Sequence, residues 1–215
     1  MCFSATASFS AAGVTAILGV ACLSRARRWR ETPLASFPLL FAAQQAIEGV
    51  LWLRLGYGDG GNGAITALSV AFLLFAQVLW PMLTPVGVLL VEPDQRRRLA
   101  MKGLAVLSVF VAAYLLYVMA KSPYEVSVVG GSLRYATEMR TPLPGGKALY
   151  AACTVLPFLL SSHRPLAIMG GILAVGLAVS LYAFQMTFLS VWCFFAAIAS
   201  AVLYCHFANT ERPSS

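Results

Sequence analysis

The chain has 215 residues, of which 60% are hydrophobic and only 11% charged, and its mean hydropathy is +0.79. A soluble domain carries about 25% charged residues, so this composition excludes an ordinary water-soluble domain and predicts a multi-pass membrane protein. The net charge of +7 is read as membrane topology rather than nucleic-acid binding, because the basic residues cluster between apolar runs and no nucleic-acid module is evident.

Seven apolar segments predict an all-α, seven-transmembrane-helix bundle forming one integral membrane domain. The helices fall at about residues 6–23, 33–56, 64–91, 103–120, 148–160, 166–184 and 188–207. In the first, the run from Met1 to Leu23 precedes its arginines (Arg25, Arg27, Arg28, Arg30). That order is the reverse of a cleavable signal peptide and predicts an anchor with its N-terminus outside. Ser4 or Thr6 is placed to cap the helix, and Trp29 to anchor it at the interface.

The second segment, Pro33 to Gly56, carries Gln44, Gln45 and Glu48 in its middle. Phe41, Gln45, Glu48 and Trp52 follow i, i+4, i+7, i+11 spacing and share a helical face, with Gln44 flanking it. A charge at membrane depth costs about 2.5–3.5 kcal/mol on an insertion scale, so such a carboxyl normally faces protein or water. Two readings stand: a functional site, or a protonated Glu48 acting as packing glue between helices.

After a glycine-rich turn, Tyr57 to Gly63, the third segment contains Gln77, Trp80-Pro81 and Thr84-Pro85. These prolines are expected to kink or break the helix unless neighbours take up the freed carbonyls. Glu92 to Arg98 reads as a basic loop, followed by the fourth span. Between the fourth and fifth spans, Tyr124–Val129, Gly130-Gly131 and Ser132–Tyr135 spell a hairpin with a two-residue turn. Thr141 to Gly146 then reads as a turn. A loop of this length is often a lid or a binding loop, and a plain solvated cap is the alternative.

The fifth span is short and carries Pro157. The sixth has Gly170, Ala174 and Ala178 at four-residue spacing, and the seventh has Cys193, Ala197 and Ala201, both patterns of close helix approach. Basic residues on one side (Arg25, Arg27, Arg28, Arg30, Arg96, Arg97, Arg98, Lys102, Arg164, Arg212) outnumber those on the other (Arg54, Lys121, Arg134, Arg140, Lys147) two to one. This supports a hairpin loop outside the cell, in an inner or plasma membrane.

The expected site is an outward-facing pocket in which Glu48, Gln44, Gln45, Trp52 and Trp192 bind a small molecule or ion. Glu48 is its titrating centre, as in a transporter or sensor, since an embedded carboxyl can couple protonation to occupancy. A rival reading is an intramembrane enzyme in which Cys2 and Glu48 hold a transition metal, or Cys2 is a nucleophile. A third is a structural subunit of a membrane complex or homo-oligomer, using the small-residue faces. No lysine in the seventh span offers a retinal Schiff base, and no nucleotide-binding motif is evident.

Three segments are distinctive together: Met1-Cys2-Phe3-Ser4-Ala5, Gln44-Gln45-Ala46-Ile47-Glu48-Gly49-Val50-Leu51-Trp52, and Ser190-Val191-Trp192-Cys193-Phe194-Phe195-Ala196-Ala197. They resemble a bacterial multi-pass membrane protein family of uncharacterised activity that begins Met-Cys-Phe-Ser. The resemblance runs over most of the chain. It implies an integral membrane protein and brings no catalytic residue with it.

Overall fold

The computed structural model describes residues 4–56, 62–121, 124–137 and 145–209. Cys2 and the stretches Tyr57–Gly61 and Thr141–Pro144, which the sequence reading used, lie outside the described residues. Among the described residues, six helices are long and apolar enough to cross a membrane: α1 (Ala5–Arg25), α2 (Thr32–Gly56), α3 (Gly63–Val91), α4 (Gln95–Lys121), α6 (Arg164–Ala183) and α7 (Phe188–Ala208). A shorter apolar helix, α5 (Gly146–Leu159), stands between α4 and α6. The chain is a membrane protein.

Sequence neighbours pack on one another from α1 to α7, and α7 returns to α1, so the helices close into a ring. α7 also touches α2 across it. Of the apolar stretch of α2, 61% is buried, against 22% in α1 and α4. α2 is therefore the most enclosed of the six, and its mid-helix polar residues Gln44, Gln45 and Glu48 lie inside protein.

Local chemistry explains the helix ends. Ser4 caps α1 by accepting from the Ala7 N–H at 3.2 Å. In the link to α2, the Glu31 carboxylate accepts the backbone N–H groups of Arg27 and Arg28 at 2.8 and 3.3 Å. α4 begins at Gln95 rather than near 103, so Arg96–Arg98 are helical and not a loop. Asp94 accepts the Arg97 N–H at 2.8 Å as an N-cap, and arginine is a good helix former that completes the first turn.

α3 accommodates its prolines without breaking. Leu74–Leu79 winds as a π-helix, and the helix continues through Pro81 and Pro85 to Val91. In this winding the Trp80 N–H reaches back five residues to the Phe75 carbonyl. The next donor in that register would be Pro81, which has none, leaving the Ala76 carbonyl over. The Tyr150 hydroxyl of α5 donates to it at 2.6 Å.

The hairpin consists of β1 (Tyr124–Val129) and β2 (Ser132–Thr137), antiparallel with Val129 opposite Ser132. Gly130 and Gly131 have φ of 55° and 74°, the left-handed pair that a two-residue type I′ turn requires. The hairpin packs on α3 and α7. Leu133 is fully buried, and Tyr135 stacks on Phe72 of α3 with ring centroids 4.7 Å apart.

Two glycines set helix spacing. A Cβ at Gly19 would lie 2.6 Å from the backbone nitrogen of Leu39 in α2, and one at Gly170 would lie 2.7 Å from that of Leu159 in α5. The four-residue pattern in α6 is only partly a contact face, because Ala178 is exposed while Gly176 meets Phe195 of α7. Gly19→Ala and Gly170→Ala should each destabilise by about 1–3 kcal/mol through overpacking. Gly13→Ala, whose Cβ would meet nothing within 4 Å, should be neutral or stabilise by about 0.5–1 kcal/mol. Denaturant unfolding in micelles separates the three.

The links at the arginine-rich end are tied by Glu92, which is buried. Its carboxylate accepts from Ser161 Oγ at 3.0 Å, the Ser162 N–H at 2.8 Å, Ser162 Oγ, and the Asp94 N–H at 3.2 Å. Burial by itself raises this carboxyl's pKa, but the Ser162, Asp94 and Ser161 donors together outweigh it and hold the pKa below the ordinary value. A carboxyl depressed on folding stabilises above its unfolded pKa, and that contribution is lost as pH falls through the folded value. Acid titration of wild type should therefore lose stability below the ordinary carboxyl range, and Glu92→Gln should show a flatter acid limb.

Candidate functional site

A mid-membrane helix face bearing two amides and a carboxyl must find partners, because hydrocarbon supplies none. Gln44, midway along α2, is fully buried, as are Gln45 and Glu48. Gln44 is held at both ends of its amide. Its oxygen accepts the Trp80 indole N–H of α3 at 2.7 Å, and its nitrogen donates to Cys193 Sγ of α7 at 3.2 Å. Trp80 is itself fixed by stacking on Phe41, one turn before Gln45, with centroids 3.8 Å apart.

Glu48 is met from α7 by Ser190, whose hydroxyl donates to Oε1 at 2.6 Å. The Gln45 amide nitrogen approaches Oε2 at 3.4 Å. The Cys193 thiol also lies within electrostatic reach of the carboxyl. Ser190 and Cys193 are one helical turn apart, so α7 presents a hydroxyl and a thiol to α2 as a pair. Next to Glu48, Gly49 admits the Phe9 ring of α1, which a Cβ there would meet at 2.9 Å.

Two polar atoms beside this cluster are buried and lack a hydrogen-bond partner among the described residues: Gln45 Oε1 and Trp52 Nε1. They belong to the same face of α2 and bracket Glu48 along it, one turn to either side. Such orphans are rare in folded proteins and call for an explanation.

Trp192 is buried in α7, stacks on Phe188 at 6.3 Å, and lies beside the Tyr150 hydroxyl of α5. It stands with Cys193 on a cavity of about 20 Å³ that also touches Trp80, Thr84 and Thr154, room for about one water. A cavity of about 270 Å³ lies between α3, α4, α5 and the start of α7, reaching Gln77 and Tyr150. Neither lining includes Glu48, Gln44, Gln45 or Trp52.

The structure thus brings Gln44, Gln45 and Glu48 together and puts Trp192 one layer away, on Tyr150. The partners that sequence reasoning did not name are Ser190, Trp80 and, as a direct contact, Cys193. Cys2 lies outside the described residues, and the thiol at the cluster is Cys193. Among the described residues no group of three or more His, Cys, Asp or Glu side chains could hold a metal ion.

A family model matches residues 1–215, the whole chain. The chain belongs to the family of unknown function DUF6629. No curated protein and no solved structure matches it.

The Ser190 bond can be tested directly. Ser190→Ala removes a 2.6 Å donor from a buried carboxyl and should cost about 1–3 kcal/mol. Ser24→Ala, on an exposed hydroxyl that bonds only to its own helix at 3.0 Å, should change stability by less than about 0.5 kcal/mol. Thermal unfolding of both variants in one detergent reads the difference.

Proposed function

We propose that this is a seven-span membrane protein that binds a small cation at Glu48 in exchange for the carboxyl proton. The arginine-rich end of the bundle faces the cytoplasm and the β-hairpin the outside. The orientation rests on Arg25, Arg27, Arg28, Arg30, Arg96, Arg97 and Arg98 gathering at one end. The span count adds α5 to the six long helices.

The observation that carries the cation reading is the pair of unpartnered buried atoms flanking Glu48, above all Gln45 Oε1. An amide oxygen, a carboxyl, a serine hydroxyl and a thiol on adjacent turns form a set rich in acceptors. That composition suits a cation or a protonated donor better than an anion. The Trp52 indole N–H then serves a water or counter-group of the occupant. Such a site would let a membrane protein sense or couple a cation, since occupancy and protonation compete for one carboxyl.

The test uses full-length protein in a neutral detergent with sodium, potassium, magnesium and zinc chlorides as separate probes. At a hundred-fold excess over Kd, a bound cation stabilises by about 2.7 kcal/mol. One of the four should raise the unfolding midpoint of wild type and remove a protonated-carboxyl infrared band, and both responses should be missing in Glu48→Gln. A shift of the same size in Glu48→Gln, or no shift with any probe in wild type, sinks the reading.

A further inference from the structure

At the end of the bundle where Glu92 ties the links together lies a cavity of about 730 Å³, well separated in the fold from the Glu48 cluster. Its basic and histidine lining comes from four places in the chain: Arg27, Arg28 and Arg30 from the link after α1, Arg98 from the first turns of α4, His163 just before α6, and His206 in the last turns of α7. Two carboxylates, Glu31 and Glu92, also reach it. Both are already engaged: Glu31 accepts the backbone N–H groups of Arg27 and Arg28, and Glu92 accepts the Ser161, Ser162 and Asp94 donors.

Both acids keep their negative charge while shaping the loops, so the cavity sets four arginines against two carboxylates. Among the described residues neither Arg27 nor Arg28 gives its guanidinium to a carboxylate, although Arg30 lies over the Trp29 ring at 5.5 Å. Arg98 is half-buried and positioned by the Leu89 and Glu92 carbonyls at 3.3 and 3.1 Å. His163 Nε2 lies 3.0 Å from the Val91 carbonyl, and its ring meets His206 edge-on at 4.8 Å. Arg98 and His163 are thus held in place, while Arg27, Arg28 and Arg30 are exposed and supply the positive charge of the rim.

Apart from Gln95, the remaining lining is apolar, with Leu90, Val91 and Phe207 prominent. A simple anion would use only the arginines, whereas an anion carrying an organic group would use both surfaces. Guanidinium forks match phosphate oxygens two at a time, and basic pockets between helices at the cytoplasmic surface suit anionic headgroups.

We propose that this cavity binds a phosphate ester, its phosphate held by Arg27, Arg28, Arg30 and Arg98 and its organic part lying against Leu90, Val91 and Phe207. The inference does not depend on the cation site. The same chemistry is offered by the headgroup of an anionic phospholipid and by a soluble phosphorylated metabolite, and the experiment separates these sources.

Full-length protein, delipidated in a phosphate-free sugar detergent, is titrated with phosphatidylglycerol, with glycerol 3-phosphate and with inorganic phosphate. The phosphate-free lipid monoolein is the control, and binding is read by native mass spectrometry and thermal shift. Phosphatidylglycerol or glycerol 3-phosphate should bind more tightly than monoolein. The first alone assigns a lipid headgroup, and the second alone assigns a soluble ester. Combining Arg27→Gln, Arg28→Gln and Arg30→Gln should weaken that binding by at least about ten-fold. Arg96→Gln with Lys102→Gln, basic residues of α4 that do not line the cavity, should leave it unchanged. If the triple glutamine variant does not fold, Arg27→Lys, Arg28→Lys and Arg30→Lys keep the charge while removing the fork, and binding should still fall several-fold. Equal binding of monoolein and the phosphate esters, or undiminished binding by whichever triple variant folds, overturns the proposal.

Discussion

Three polar side chains on the most enclosed of the six long helices govern how the rest of the bundle is arranged. Gln44, Gln45 and Glu48 are fully buried, and each needs partners that lipid cannot provide. Gln44 answers by bridging α3 and α7 through Trp80 and Cys193. Glu48 answers by taking the Ser190 hydroxyl. α2 is thus pinned on two sides by directional bonds, whereas apolar packing alone would let it rotate or slide. The close approaches at Gly19 and Gly49 bring α1 onto a third side of the same helix.

A second polar tie follows from the prolines of α3. The π-helical turn and Pro81 leave one backbone carbonyl without its usual donor, and Tyr150 supplies a hydroxyl from α5. Trp192, next to Cys193 in sequence, lies beside that hydroxyl. The Gln44–Cys193 bond and the Tyr150–Ala76 bond are therefore joined through adjacent residues of α7.

Much of this was legible in the residues. Hydropathy located the six long helices and the short α5, all but the start of α4 to within a few residues, and Gly130-Gly131 between β-prone runs marked the hairpin. The i, i+4, i+7 spacing put Gln45 and Glu48 on one face. The start of α4 was not legible, because arginines read as loop by charge while Asp94 caps them into a helix. Nor was the identity of the partners. Ser190 and Cys193 are ordinary residues in a seventh span, and only the crossing of α2 with α7 sets them opposite Glu48 and Gln44. Trp192 was the more conspicuous donor by type, but the ring of helices turns it towards α5. The small-residue spacing in α6 named Gly170 correctly and extended one step too far, to Ala178, because spacing does not say where a neighbouring helix leaves the face.

The shortness of α5 bears on how the protein enters its membrane. Its 14 residues span about 21 Å at 1.5 Å per residue, well under the ~30 Å of a hydrocarbon core. Alone it would be a poor substrate for lateral release from an insertion channel. α3 offers the Ala76 carbonyl to Tyr150, and α6 offers Gly170 to the Leu159 backbone. α3 leaves the ribosome before α5, and α6 leaves it after. On the seven-span reading, α5 waits at the channel until α6 is made and partitions with it against a resident α3. Biogenesis of this bundle would then proceed by a helical pair at that step rather than one span at a time.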